Sequence, residues 1–125
     1  MASLHASRIY VALESQGVTT CIKSWAVPEA GTIKAIWAGV DTPPTTGTLA
    51  LARLRVAGSV NLLTATNLNL ATGLSAGVAA SLTLSASALN LHLEAGDIVS
   101  ATWTWTTAGS ATFAGCTLIF EPDLN

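Results

Sequence analysis

Charge is what this sequence has least of. Five cations and seven acids make up only 10% of the 125 residues and leave a net charge of −2. The surface of a soluble monomer is usually about a quarter or more charged. A chain this poor in charge is therefore expected to hide a substantial face against copies of itself or a larger assembly. The cations Arg8, Lys23, Lys34, Arg53 and Arg55 are scattered except for the last two. Two neighbouring arginines fall short of the basic stripe that phosphate backbones require, so nucleic acid is not an expected partner.

Long apolar runs are also missing. Half the residues are hydrophobic and the mean hydropathy is +0.54, yet Thr, Ser, Asn, Gly or a charge interrupts every run within a few positions. A spanning helix needs about 20 consecutive apolar residues, so no membrane segment is expected. The opening MASLHASRIY has a single basic residue, Arg8, and no apolar h-region, so no secretory signal is read there and synthesis in a cytosol is expected. The two cysteines, Cys21 and Cys116, lie near opposite ends of the chain and become neighbours if the terminal strands pair. In a cytosolic product they are expected as two reduced, buried thiols rather than a disulfide.

Catalytic and metal-binding patterns are sparse. There is no glycine-rich phosphate loop, His-Glu-x-x-His, Cys-x-x-Cys or Gly-x-Ser-x-Gly. Of the two histidines, His5 sits in a terminal arm and His92 falls on the same side of a strand as Glu94, just before Asp97. A metal site needs three or four convergent ligands with support behind them. The simpler expectation is a strand end where Gly96 supplies a positive φ and Asp97 accepts turn amides. The acids Glu14, Glu29, Asp41, Glu94, Asp97, Glu121 and Asp123 fall mostly in turns, so neither an enzyme, nor a cofactor, nor a resident metal is expected.

Turn signals, by contrast, are frequent: ESQG at 14–17, VPEAG at 27–31, DTPPTTG at 41–47, AGS at 57–59, EAGD at 94–97 and TAGS at 107–110. Between most of them lie short runs rich in Val, Ile, Thr and Trp, the pattern of an antiparallel sandwich or barrel. Strands are predicted near 7–13, 18–27, 32–40, 48–56, 78–85, 89–93, 98–106 and 111–120. About eight strands in one domain is the jelly-roll number. The fold class is thus all-β: a single-domain antiparallel β-sandwich of jelly-roll type over 1–125, with an N-terminal arm 1–7 and a C-terminal tail 121–125. The stretch 60–76 fits neither period and reads as a connection with one short strand or turn of helix. The triplet Leu-Asn-Leu at 68–70 and 89–91 reflects composition rather than a repeat.

Alternation assigns faces. In GTLALARLRV, Ala50, Ala52, Leu54 and Val56 oppose Leu49, Leu51, Arg53 and Arg55, and the second side runs from an apolar end to a cationic one. In DIVSATWTW, Val99, Ala101, Trp103 and Trp105 oppose a face of Ser and Thr. The hydroxyl face suits solvent, so the tryptophan face should point inward or against a partner. Trp103 and Trp105, with Trp25 and Trp37, could alternatively form a strip on which sugar rings stack. Packing is the preferred reading, because few other large side chains are present to fill a core.

LHLEAGDIVSATW followed by ATFAGCTLIFEPD resembles the closing strands of jelly-roll domains of the complement-C1q and tumour-necrosis-factor type. That resemblance implies a compact homotrimer whose inner sheets carry aromatic contacts. The Ala- and Leu-rich middle and the missing signal depart from the secreted-ligand role of those families. WAVPEAGTIKAIWAGVDTPPTTGTLALARLRV and GLSAGVAASLTLSASALNLHLEAGDIVSATWTW are similar to small structural proteins that decorate or cement the capsids of tailed bacteriophages. This second resemblance implies a virion protein made in the bacterial host cytoplasm and carried on the capsid surface, stabilising the capsid by bridging neighbouring subunits as a homotrimer. Its partners would be itself and the major capsid protein. The expected core or subunit-interface anchors are Tyr10, Trp103, Trp105 and Phe113. The expected capsid-contacting residues are Ala2, Ser3, Leu4 and His5 in the arm and Asp123, Leu124 and Asn125 in the tail. The alternative is a carbohydrate- or receptor-binding module of a tail fibre or host-facing decoration, with a glycan as ligand.

Overall fold

A computed structural model of the chain describes residues 8–16, 20–44, 46–56, 58–64, 67–105 and 113–123, with Gln16 and Phe113 described by their backbone alone. Ten strands and two single helical turns follow in the order β1 (Ile9–Gln16), β2 (Thr20–Ala26), β3 (Gly31–Val40), β4 (Gly47–Arg55), β5 (Gly58–Asn61), β6 (Leu68–Asn69), α1 (Leu70–Gly73), β7 (Ala80–Ser81), α2 (Ala88–Leu91), β8 (His92–Leu93), β9 (Ile98–Trp105) and β10 (Phe113–Pro122). One sheet has the order β1-β10-β3-β7 with β8 also on β3, and the other has β2-β9-β4-β5 with β6 also on β4. All these strand pairs are antiparallel. The last strand sits between the first and third, and the ninth between the second and fourth. This is the jelly-roll arrangement of two interleaved Greek keys.

The expected eight strands are present as eight positions. The fourth position of each sheet is split, β5 and β6 sharing one edge and β7 and β8 the other. The predicted continuous strands at 78–85 and 89–93 are therefore corrected to the short pairs Ala80–Ser81 and His92–Leu93, the second preceded by a helical turn. Ala and Ser make up half of 78–85, and such small residues give the ladder little to pack against. The 60–76 connection, expected to hold one short strand or a turn of helix, holds both β6 and α1, the latter capped by Asn69, whose Oδ1 accepts from Ala71 and Thr72 amides at 2.9 and 3.2 Å. Strand β5 was not predicted, since GSVN has only one branched apolar residue. Likewise β1 continues through the expected turn ESQG to Gln16, held by eight consecutive partners on β10.

The core lies between the sheets. From one side come Leu13, Ile33, Ile36, Ala38, Leu118 and Phe120, and from the other Leu49, Leu51, Val99, Ala101 and Trp103. Ile33 and Ile36 both point inward because β3 carries an extra residue at Lys34, where its register with β10 shifts. Such a bulge returns the strand to an inward phase after two outward residues. Edge-to-face contact of Trp25 with Phe120, centroids 5.2 Å apart, joins β2 to β10 across the sandwich. Gly31 makes room beside this contact, because a Cβ there would collide with the Phe120 ring and the Glu121 carbonyl.

Candidate functional site

Alternation on β9 places Trp103 fully inside and Trp105 nearly so, as it does for Val99 and Ala101. Between core and subunit interface, the structure puts both tryptophans in the core. Their opposite face, Ser100, Thr102 and Thr104, continues across register into Thr20, Ser24 and Thr48, and carries hydroxyls outward as expected. The sugar strip does not form: Trp25 is turned inward onto Phe120, and Trp37 stands on the outer face of the other sheet. The side chain of Phe113 and residues Ala2, Ser3, Leu4, His5, Leu124 and Asn125 lie outside the described residues.

Charge is segregated along the strand axis. Arg8 and Lys34 share Glu121, at 3.2 and 4.0 Å; His92 Nε2 lies 2.9 Å from Asp123; Arg55 engages Asp97 and Glu94. All of these stand where β1 begins, β10 and β4 end, and β3 and β9 begin, which is one end of the sandwich. Asp97 is the buried hub there, 3% exposed. It takes two hydrogen bonds from Arg55 and one of 2.8 Å from the Glu94 amide, while its carbonyl accepts from the Val27 amide at 2.9 Å. Gly96 has the positive φ, 92°, that the turn requires. The hydrogen bond from Arg55 is the main reason that the Asp97 carboxyl lies below its ordinary value, against the opposing effect of burial. Among the described residues no three or more His, Cys, Asp or Glu side chains converge on a metal position.

The expected tail 121–125 is shorter than read. Glu121 and Pro122 belong to β10, and Asp123 is fastened by its amide to the Ala30 carbonyl at 2.9 Å and by its carboxylate to His92. The Ala30 carbonyl, just before β3, offers the extended backbone one more acceptor, which favours continued pairing over a loose tail.

The remaining candidate surface is the outer face of the β1-β10-β3-β7 sheet. Register builds it in rows: Tyr10 beside Ile119 beside Ala35; Ala12 beside Thr117 beside Trp37 beside Ser81; Glu14 beside Gly115 beside Gly39. Tyr10 is 66% and Trp37 43% exposed. Glu14 is the single charge in these rows, so the face combines two exposed aromatics with small or uncharged residues. Only Tyr10 of this set was singled out in the sequence as an anchor. The alternation of β3 held a signal for Trp37, but the bulge at Lys34 inverts the phase on which such a reading depends.

Both cysteines are buried and unpaired, and burial pushes the Cys116 thiol up to about 12. No helix among the described residues is long and apolar enough to cross a membrane. Neither a protein-family model nor a curated protein matches the chain.

Proposed function

We propose that the chain is a structural virion protein that assembles as a homotrimer through the outer face of its β1-β10-β3-β7 sheet and, as that trimer, decorates a tailed-phage capsid. The observation that carries this reading is the exposure of Tyr10 and Trp37 on one sheet face whose rows between them hold only small or uncharged residues. A second copy that covers the middle rows of this face desolvates one charge, Glu14, and aromatics are the residues on which subunit interfaces concentrate their energy.

The reading extends to the capsid through the chain ends. Strand β1 begins and β10 ends at the same, charged end of the sandwich. In a threefold assembly the arm residues Ala2, Ser3, Leu4 and His5 and the tail residues Leu124 and Asn125 of three copies therefore start from one side. Three linked contact sets on neighbouring capsid subunits bind far more tightly than one. Asp123 acts at the root of the tail, where it is held by His92.

Light scattering on the purified protein at micromolar concentration tests the reading: a mass of three chains is expected, and a clean monomer would sink it. Removal of residues 1–7 should leave the trimer intact and abolish its binding to undecorated capsids.

A second reading, a carbohydrate- or receptor-binding module of a tail fibre, draws support from Tyr10 and Trp37 sharing one open face. It expects neutral oligosaccharides to perturb tryptophan fluorescence in the native protein and not in Trp37→Ala.

A further inference from the structure

The two sheets have four edges, and three of them are blunted. Strands β7 and β8 are two residues each, and β5 and β6 are four and two, too short to template another strand. Backbone hydrogen bonds from the Thr64 amide to Thr83 and from the Ser85 amide to Leu62 also close the side between these two edges. Strand β2 is longer, but Lys23 shares the inward side of Cys21 and Trp25, and an inward-pointing charge on an edge strand hinders pairing with a neighbour.

Strand β1 has none of these protections. It is eight residues long, IYVALESQ, without proline or lysine, and meets β10 at eight consecutive partners without a bulge. On its other side it forms no ladder among the described residues. An open groove of about 280 Å³, lined by Ala12, Leu13, Glu14, Lys23 and Ser24, separates it there from β2. Backbone amides and carbonyls of a strand point alternately to its two sides, so half of those on β1 face this opening. The partner that satisfies a row of such groups at that spacing is another extended strand.

The side chains of β1 complement a second copy of the same strand. A two-fold axis normal to the sheet keeps outward residues opposite outward ones, and so opposes even-numbered residues only to even-numbered ones. With the axis at Val11, Ile9 stands opposite Leu13 of the other copy, Tyr10 opposite Ala12, and Arg8 opposite Glu14. Axes one residue to either side put Arg8 opposite Gln16 or Ala12 and leave Glu14 without a cation.

The acids near Arg8 do not cancel this match. Glu121 is shared by Arg8 at 3.2 Å and Lys34 at 4.0 Å, Asp123 is held by His92, and Asp97 and Glu94 are taken up by Arg55 of the other sheet. None of these ion pairs uses Glu14, which is exposed. Pairing brings Glu14 of the second copy to the side of Arg8 away from Glu121, so that Lys34, Glu121, Arg8 and Glu14 alternate in sign across the joined sheets.

We infer that β1 pairs antiparallel with β1 of a second copy about a two-fold axis at Val11, which joins two β1-β10-β3-β7 sheets into one. A contact along one strand is small beside the roughly 1,200–2,000 Å² of a stable interface, so it forms at high local concentration, as between trimers crowded on one shell. It uses the strand edge rather than the outer face, and it stands or falls independently of the homotrimer proposed above.

Light scattering over a rising concentration series reads the contact as a doubling of the mass found at micromolar concentration, whether that mass is three chains or one. The wild type is expected to double towards millimolar concentration. Glu14→Arg, which sets like charges opposite each other, should not double, and Arg8→Glu combined with Glu14→Arg should double again. Val11→Cys should form a disulfide between two copies in air, because Cβ atoms of directly opposed residues stand about 4.5–5.5 Å apart. Glu14→Cys should not, since its two copies lie about 20 Å apart in this register. A wild type that never doubles, or two cysteine variants that cross-link alike, overturns the pairing. A mass of three chains at every concentration overturns the pairing and leaves the trimer standing, whereas a monomer that doubles does the reverse.

Discussion

Arg55 grips Asp97 with two parallel hydrogen bonds, Nε to Oδ1 at 2.8 Å and Nη2 to Oδ2 at 2.7 Å, across 42 residues of sequence. The contact ties the end of β4 to the turn that opens β9, and the Asp97 carbonyl extends the tie to Val27 beyond β2. A paired fork of this kind is the strong form of ion pair, because planar geometry and charge act together. It also explains how an arginine can lie on the core-facing side of β4: Arg55 is the last residue of the strand, at the rim, and meets its carboxylate there.

Asp97→Asn should destabilise the fold by about 2 to 3 kcal/mol, since it removes the charge partner of Arg55 and leaves a poorer acceptor at a buried site. The 30% exposure of the Arg55 side chain keeps the loss below that of a fully buried pair. Urea unfolding of the two proteins at neutral pH measures the difference.

Acid should act through the same residue. The folded-state carboxyl lies below its unfolded value, which is about 3.9. Its stabilisation is therefore fully present above pH 4 and is lost as pH falls through the lower folded value. The wild type should lose melting temperature steeply on acidification from pH 5 to pH 2.5, and Asp97→Asn should lose less over that range.

Trp103→Ala should cost about 3–5 kcal/mol, the range for emptying a large aromatic site in a packed core. Trp103 is fully buried between the sheets. Tyr10→Ala, on an exposed face, should change the unfolding free energy of the monomer by less than about 0.5 kcal/mol. Denaturation of both variants compares the two, and an equal loss would contradict the core assignment of Trp103.

Gly31→Ala should be more damaging than an ordinary surface substitution, because its methyl group meets the Phe120 ring and the Glu121 carbonyl. Overpacking of this kind costs about 1–3 kcal/mol. Thermal melts should show the loss in Gly31→Ala and little change in Gly115→Ala, where the added atom makes only ordinary contacts.

Cys116 should resist alkylation by iodoacetamide at pH 8 in the native protein and react once urea is added. Its thiol, raised to about 12 by burial, is almost wholly protonated there, and the thiolate is the reactive form. Mass spectrometry of native and unfolded samples reads the difference.

Much of the fold was legible in local pattern. Alternation in DIVSATWTW fixes which side of β9 is apolar, and a strand offers only two sides, so Val99, Ala101, Trp103 and Trp105 had to face inward or against a partner. The same reasoning in GTLALARLRV placed Arg53 and Arg55 in line with Leu49 and Leu51, at the cationic end of an otherwise buried row. The Gly-Asp turn was likewise readable, because Gly96 and Asp97 are chosen by backbone geometry and amide bonding within four residues.

The candidate site was not legible in that way. Trp37 becomes a neighbour of Thr117 and Ala12, and Gly39 of Gly115, only when β10 has entered between β1 and β3. Those pairs join residues far apart in the chain, and no local period encodes which strand will be a neighbour. The bulge at Lys34 adds a second obstacle, since one extra residue switches the side on which everything beyond it stands.

The sequence by itself determined the strands, their apolar sides and the scarcity of charge, because those follow from residue type and the two-residue period of extended backbone. Only the tertiary structure decided that Trp103 and Trp105 close the core while Tyr10 and Trp37 remain outside. Two sheets have two inner faces to bury against each other, and which aromatics fall on the outer ones depends on strand order and register, set by long-range pairing rather than by neighbours in sequence.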